Sequence, residues 1–212
     1  MKTLETELAE AGLDVFAAFS TRGWADPYVL NPFARRAGAL ACVIGNSKAL
    51  WPVFTATGAC GDHPLDRYVV ETVSRLSAAA SSRLGAHHIH WAHVVRPAAV
   101  PIQRVAEHAG LARLGPAWLS VHPEFGPWFG LRAVVVFDTD GPETVSPAPD
   151  PCSACDGKPC IPAVQAALDA GPRATWRDWL AARDACPVGR DSRYDEAQLE
   201  YHYTKNPACL GR

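Results

Sequence analysis

No dense run of lysine or arginine occurs anywhere in the 212 residues, and the formal net charge is -2. A nucleic-acid binder carries a basic patch or stripe, so no nucleic-acid partner is expected. No uninterrupted apolar stretch approaches the roughly 20 residues that cross a bilayer, so no membrane partner is expected either. The N-terminus, Met1-Lys-Thr-Leu-Glu-Thr-Glu-Leu8, places acids where a secretory signal needs an apolar run, and a soluble, cytoplasmic protein is expected. The chain also has no P-loop, no G-x-G-x-x-G, no H-E-x-x-H and no G-x-S-x-G. Nucleotide-driven and serine-hydrolase chemistry therefore lack support. No internal repeat or low-complexity tract appears.

What the chain has is enough apolar material for one sizeable core with a small appendage, since hydrophobic residues make up 48% and charged residues 20%. Glu5 to Gly12 reads as the end of a short helix stopped by glycine. Val15–Phe19 and Ala39–Ile44 read as strands. Asp62-His-Pro64 offers an N-cap and an early proline. Leu65, Val69, Val73, Leu76, Ala80 and Leu84 then recur at helical spacing up to Gly85. Strands are expected at Ile89–Val95, Ala117–Val121 and Leu131–Phe137, and a helix at Ile102–Ala109. The run Ala133-Val-Val-Val-Phe137 is apolar on both faces, which predicts a central strand. After Asp138 the composition turns linker-like. A cysteine segment follows, and then short helices at Ala163–Ala170, Thr175–Asp184 and Tyr194–Tyr203. The expected organisation is an α+β domain over 1–145 and a cysteine-rich helical cap over 146–212.

Seven cysteines are unevenly spread. Cys42 lies in an apolar run and reads as a buried small hydrophobe. Cys60, in a Gly-Ala-Cys-Gly-Asp loop, and Cys209, near the C-terminus, are also left out of the candidate site. The other four are Cys152, Cys155, Cys160 and Cys186, with the first three in C-x2-C-x4-C and the last in C-P. Clustered thiolates in a reducing compartment suit a soft metal better than disulfides. A 4Fe–4S cluster with one remote ligand is the first reading. Structural zinc needs the same four thiolates and is the alternative, with uncoordinated thiols the bland one.

A second segment, Val121-His-Pro-Glu-Phe-Gly-Pro-Trp-Phe-Gly-Leu-Arg132, lies between two expected strands. Phe125, Trp128 and Phe129 offer broad apolar faces, and Arg132 sets a permanent charge at the start of a buried strand, where it needs an anionic partner. Such a segment suits either a large planar cofactor or a loop whose aromatics cap the core. His87, His88, His90 and His93 crowd one expected strand. No carboxylate or cysteine joins them at ligand spacing, so ordinary polar positions are favoured over a metal pair.

The Val121–Val136 segment resembles the H-P-x-F-G-x-W-F-x-x-R-x-V-V signature of CblC-type cobalamin-processing proteins, the cyanocobalamin decyanases and alkylcobalamin dealkylases. A second block agrees, Trp176-Arg-Asp-Trp-Leu-Ala-Ala-Arg183 followed by Arg193-Tyr-Asp-Glu-Ala-Gln198. Val105–Gly115 and the cysteine set resemble epoxyqueuosine reductases and corrinoid reductive dehalogenases, where iron–sulfur cysteines follow a related cobalamin domain. The resemblance implies a nitroreductase-like central antiparallel sheet flanked by helices, bound cobalamin, and contacts from His122, Phe125, Gly126, Trp128, Phe129, Arg132, Trp176 and Arg183. The family's glutathione-binding arginines match Arg132 and Arg183, so glutathione or a reduced flavin is a further implied reagent. A third family arginine has no counterpart here, and the cysteines suggest a built-in electron source instead.

The expected activity is therefore a cobalamin reductase of the decyanase type. It would remove the upper ligand or prepare cobalamin for transfer, supplied by a separate electron donor and serving a cobalamin-accepting enzyme. The chain lacks a D-x-H-x-x-G motif, so no protein histidine is expected below cobalt. The rival readings are a non-catalytic cobalamin carrier with a structural metal, and a 4Fe–4S electron-transfer protein without corrinoid.

Overall fold

A computed structural model describes residues 3–26, 28–94, 99–144 and 146–210, leaving aside the side chains of Pro207 and Cys209. In chain order the elements are α1 (Leu4–Glu10), β1 (Val15–Ser20), β2 (Ala39–Asn46), α2 (Leu50–Ala56), α3 (Pro64–Leu84), β3 (His87–Trp91) and α4 (Ile102–His108). There follow β4 (Arg113–Leu114), β5 (Ser120–Val121), β6 (Gly130–Asp140), α5 (Cys160–Ala170), α6 (Trp176–Asp184) and α7 (Glu196–Thr204). No described helix is long and apolar enough to cross a membrane.

The chain divides into two compact units. The first takes residues 1–111 and 130–148, and the second takes 112–129 and 149–212. The break expected near residue 145 thus falls after Ala148, and residues 112–129, expected with the N-terminal domain, group with the cysteine segment.

The first unit is built on an antiparallel sheet of order β1-β2-β6-β3. The expected central strand is central: β6 lies between β2 and β3, and Ala133 to Phe137 are wholly buried. Its apolar residues on both faces have cover on both sides, which is what a two-sided apolar run requires. The α3 stripe also forms as expected, with Leu65, Val69, Val73, Leu76 and Ala80 buried and Gly85 closing the helix. The start of α3 differs from expectation. His63 holds the N-cap position in a left-handed conformation and no side chain caps the helix, so Asp62 does not serve. The expected strand Ile89–Val95 is instead His87–Trp91, and Val95 lies outside the described residues.

The histidine-rich strand uses its rings locally. His87 Nδ1 is 2.6 Å from the Ser81 hydroxyl. His90 is 8% exposed, with Nδ1 2.9 Å from the Tyr28 hydroxyl and Nε2 2.8 Å from the Leu30 carbonyl. A carbonyl only accepts, so Nε2 carries the proton and Nδ1 accepts from Tyr28. Burial holds the His90 pKa below the usual imidazole value; the Leu30 carbonyl opposes that shift and His88 adds to it. An unfolded histidine titrates near about 6.5. Below that pH the unfolded chain binds a proton that the native chain does not, so stability falls as pH drops toward the lower folded value. The unfolding free energy from urea titration is expected to decrease between pH 7 and pH 5.5, by at most about 1.4 kcal/mol per pH unit from this residue. His90→Gln should flatten that slope; an unchanged slope would remove His90 as its source.

In the second unit, the strand expected at Ala117–Val121 is reduced to Ser120–Val121, paired with Arg113–Leu114. The reason is a tight hairpin loop. Gly115 N–H donates to Leu119 O at 2.8 Å and Trp118 N–H donates to Gly115 O at 3.0 Å. The tip Pro116-Ala117-Trp118 is a three-residue loop, whose last position is left-handed and normally taken by glycine. Trp118 stands there with φ 62°, and its side chain is 78% exposed. A bulky residue in that conformation costs about 1–3 kcal/mol.

Candidate functional site

The cysteine loop is shaped by side chains the sequence reading did not single out. Asp150 accepts the Cys152 N–H on its carboxylate at 2.9 Å, and its carbonyl accepts the Ser153 hydroxyl at 2.7 Å. These Asx-type bonds turn the chain at the first cysteine. Lys158 Nζ reaches back to the Cys152 carbonyl at 2.9 Å. Gly157 and Lys158 are both left-handed, with φ 66° and 40°, and they swing the chain so that Cys160 is the first residue of α5. The helix therefore begins three residues earlier than expected. Cys186 enters from another direction, just beyond α6, with its N–H donated to Arg183 O at 3.1 Å. Pro187 follows and cannot extend the helix.

These two paths bring Cys152, Cys155, Cys160 and Cys186 to the wall of one cavity, completed by Leu119, Val121 and Val188 among others. All four are free thiols. Burial raises the Cys152 thiol pKa first, and Asp150 and the Cys186 and Cys160 thiols add to the rise against the Lys158 ammonium. Burial likewise raises that of Cys186, opposed by the backbone N–H of Val188. Among the described residues, no three His, Cys, Asp or Glu side chains are placed to hold one metal ion. The donor set is nonetheless chemically right for a thiolate-held group. It is all sulfur, one cavity collects it, and a backbone N–H faces one of the sulfurs. Cys42 is buried with its thiol pushed up to about 12, and Cys60 is exposed. Neither lines the cavity. The Cys209 side chain lies outside the described residues.

The aromatic segment divides between packing and surface. Trp128 is fully buried in a cluster with Leu180, Tyr194 and Leu199. The Arg183 guanidinium lies 4.6 Å over its ring and donates to Pro127 O at 2.6 Å. Trp176 stacks on Tyr203 with centroids 5.3 Å apart, and Arg177 covers it at 4.2 Å. Thr175 and Asp178 form a capping box that starts α6, as [ST]-x-x-[DE] predicts. The W-R-D-W block therefore packs the second unit together. His122 stacks on Phe125 at 4.7 Å, and its Nδ1 accepts the N–H of Glu124 and Phe125. Phe129 is buried.

Gly126 carries φ 58°, and a Cβ there would sit 1.9 Å from Val188 O. Gly189 carries φ 67°, and its Cβ would sit 2.2 Å from the Phe125 carbonyl carbon. Two backbones thus cross at glycines, pinning the segment that follows Cys186 against the His122–Gly126 loop.

Arg132 lies in the first unit, on β6. Its Nε donates to Asn46 Oδ1 at 2.7 Å, and its Nη1 is 4.0 Å from Asp66 Oδ1. The buried cation expected to need an anionic partner has one in Asp66. The two arginines matched to glutathione binding fall in different compact units, and each already engages protein groups.

No protein-family model matches the chain, and no curated protein matches it by sequence. Solved structures do match. A B12-trafficking protein CblC from C. elegans, a human MMACHC homologue, superposes with TM-score 0.71 at 18% identity, over 98% of this chain and 92% of that one. An epoxyqueuosine reductase bound to a tRNA-Tyr stem loop gives TM-score 0.58 at 14% identity, over 91% of this chain and 66% of its own. The Bacillus subtilis epoxyqueuosine reductase gives 0.57 at 14% identity, over 90% and 65%. At these identities the likeness is one of fold, and the chain has the mixed helix-and-sheet fold, with a central antiparallel sheet, that these proteins share.

Proposed function

We propose that the chain is a cobalamin-processing protein whose second unit holds one 4Fe–4S cluster on Cys152, Cys155, Cys160 and Cys186. The observation that carries this reading is the convergence of four separated thiols on one cavity, in a fold shared with a B12-trafficking protein. Zinc takes the same four thiolates, and metal analysis separates the two groups.

When bound, such a cluster supplies electrons one at a time. The chain's own residues do the rest. Cys186 is buried and Cys152 half-buried, and the Val188 N–H is a hydrogen-bond donor to the Cys186 sulfur. Cobalamin is the substrate. The resemblance implies contacts from His122, Phe125, Phe129 and Arg132, while Gly126, Trp128, Trp176 and Arg183 hold the loops and helices of the second unit in shape. A cyanide-bearing cobalt(III) that gains one electron becomes cobalt(II), and cyanide leaves with its bonding pair. The electron comes from a separate donor, and the product passes to a cobalamin-using enzyme.

Anaerobically purified protein should contain about four irons per chain and show broad visible absorption. It should also shift the spectrum of added hydroxocobalamin. Stoichiometric zinc without iron would end the redox half of this reading. An unchanged cobalamin spectrum would end the other half.

A further inference from the structure

Among the described residues that line the thiol cavity, Lys158 is the only charged one. The backbone that carries it is strained. Its φ is 40°, in the left-handed region. Pro159 follows, and a residue before proline is pushed toward extended backbone. Holding a lysine there costs about 1–3 kcal/mol, and strain of this kind clusters at ligand clamps and active sites. Gly157, one position earlier, is left-handed at φ 66° and takes that conformation without a steric cost. A second glycine would therefore serve the turn better, so it is the side chain that justifies the strain. That side chain is half-buried, and its Nζ donates to the Cys152 carbonyl at 2.9 Å. An ammonium carries three donors, and the carbonyl takes one. The same charge acts on the Cys152 sulfur, against burial and Asp150, which push its pKa up. Arg190 acts in the same sense on Cys186, but it is exposed and lies outside the cavity lining.

We infer that Lys158 tunes the reduction potential of the group held by the four thiols, raising it by fixing one positive charge at the cavity wall. The inference rests on the cluster reading above and deepens it. A cluster bound by four thiolates is negatively charged, and an added electron makes it more so. A cation in the same cavity therefore stabilises the reduced state more than the oxidised one, and net charge is one of the levers that set such potentials. Half-burial strengthens the effect, because a charge at an exposed site is screened by water and salt. Lys158 acts through the metal group and is a positioning residue. The strain in its backbone is the cost of aiming a compact point charge at the sulfurs instead of at solvent.

The test is an anaerobic titration of the purified full chain with dithionite and redox mediators, read by visible absorption. Iron per chain and melting temperature are measured on every variant. Lys158→Gln removes the charge but keeps a hydrogen-bond donor, and it should make reduction about tenfold less favourable, a fall of about 59 mV for a one-electron couple. Lys158→Arg keeps the charge and should stay near wild type. Lys158→Gly should show the same fall as Lys158→Gln, with iron retained and the melting temperature level or higher, because glycine relieves the strained position. Arg190→Gln removes a screened charge and should shift the potential less. Equal potentials in wild type, Lys158→Gln and Lys158→Gly overturn the inference, and so does a fall in Lys158→Arg as large as that in Lys158→Gln. Loss of iron in Lys158→Gly also overturns it, since the lysine would then be a clasp on the loop. A wild-type chain without iron ends the cluster reading itself, whereas a wild-type cluster whose potential ignores Lys158 ends this inference alone.

Discussion

Gly189→Ala is expected to collapse the second unit and with it the proposed metal site. The added Cβ would sit 2.2 Å from the Phe125 carbonyl carbon and 2.4 Å from the Gly126 nitrogen, so it meets backbone and no side-chain rotation can relieve it. The residue is also left-handed, at φ 67°. Overpacking costs about 1–3 kcal/mol and a left-handed non-glycine residue about 1–3 kcal/mol, which together give roughly 2–6 kcal/mol. A small unit has little margin against such a loss. Gly126→Ala attacks the same crossing from the other chain, where the Cβ would be 1.9 Å from Val188 O, and should behave alike. Gly23 provides the control. Its φ is positive too, at 77°, but nothing lies within 4 Å of its Cβ position, so Gly23→Ala should show the conformational cost alone. Hydrogen exchange would locate the damage: faster exchange in α5 and α6 for Gly126 and Gly189, with the β2–β6 pairing still protected. Wild-type melting and wild-type iron in Gly189→Ala would show that the crossing is not what holds Cys186 in place.

The first unit was largely legible because its signals are local. A two-sided apolar run makes β6 central, and a 3.6-residue stripe ending at glycine makes α3. The misses there are local as well. Helix α2 carries Pro52 in its first turn and spans only Leu50–Ala56, too short for periodicity to register. The second unit is different, because its order depends on contacts distant in sequence. C-x2-C-x4-C is visible as a spacing, but that Cys186 joins it depends on where α6 ends and on the crossing of Gly189 with Gly126. The same contacts settle the aromatic segment, which the sequence left open between a cofactor wall and a core cap. Trp128 is core, packed on Leu180, Tyr194 and Leu199, which lie far along the chain. Trp118 was read as part of a strand because apolar residues flank it. The hairpin that puts it outside rests on a left-handed tryptophan, which propensity argues against.

Cys155→Ala should abolish iron binding and visible absorption while leaving the first unit folded. Four thiols line the cavity, and taking one away leaves three where the proposed cluster needs four. Cys155 is the cleanest to remove, because it lies half-buried in a loop between Cys152 and α5 and its truncation opens no core. Cys186→Ala should lose iron equally but cost more stability, since that residue is buried at the end of α6. Two other cysteines separate ligand loss from thiol loss. Cys60→Ala is exposed and should change neither iron nor melting. Cys42→Ala removes a buried sulfur from β2 and should lower the melting temperature with iron unchanged. The readouts are iron per chain, visible absorption and amide protection of the β2–β6 ladder. Full iron in Cys155→Ala would remove that residue from the ligand set. Loss of iron together with protection across β2 and β6 would mean that the metal supports the fold of the whole chain, and the electron-transfer role would give way to a structural one. Loss of iron with that ladder intact would leave the first unit folded without the metal group, which is what a group serving a bound substrate rather than the fold requires.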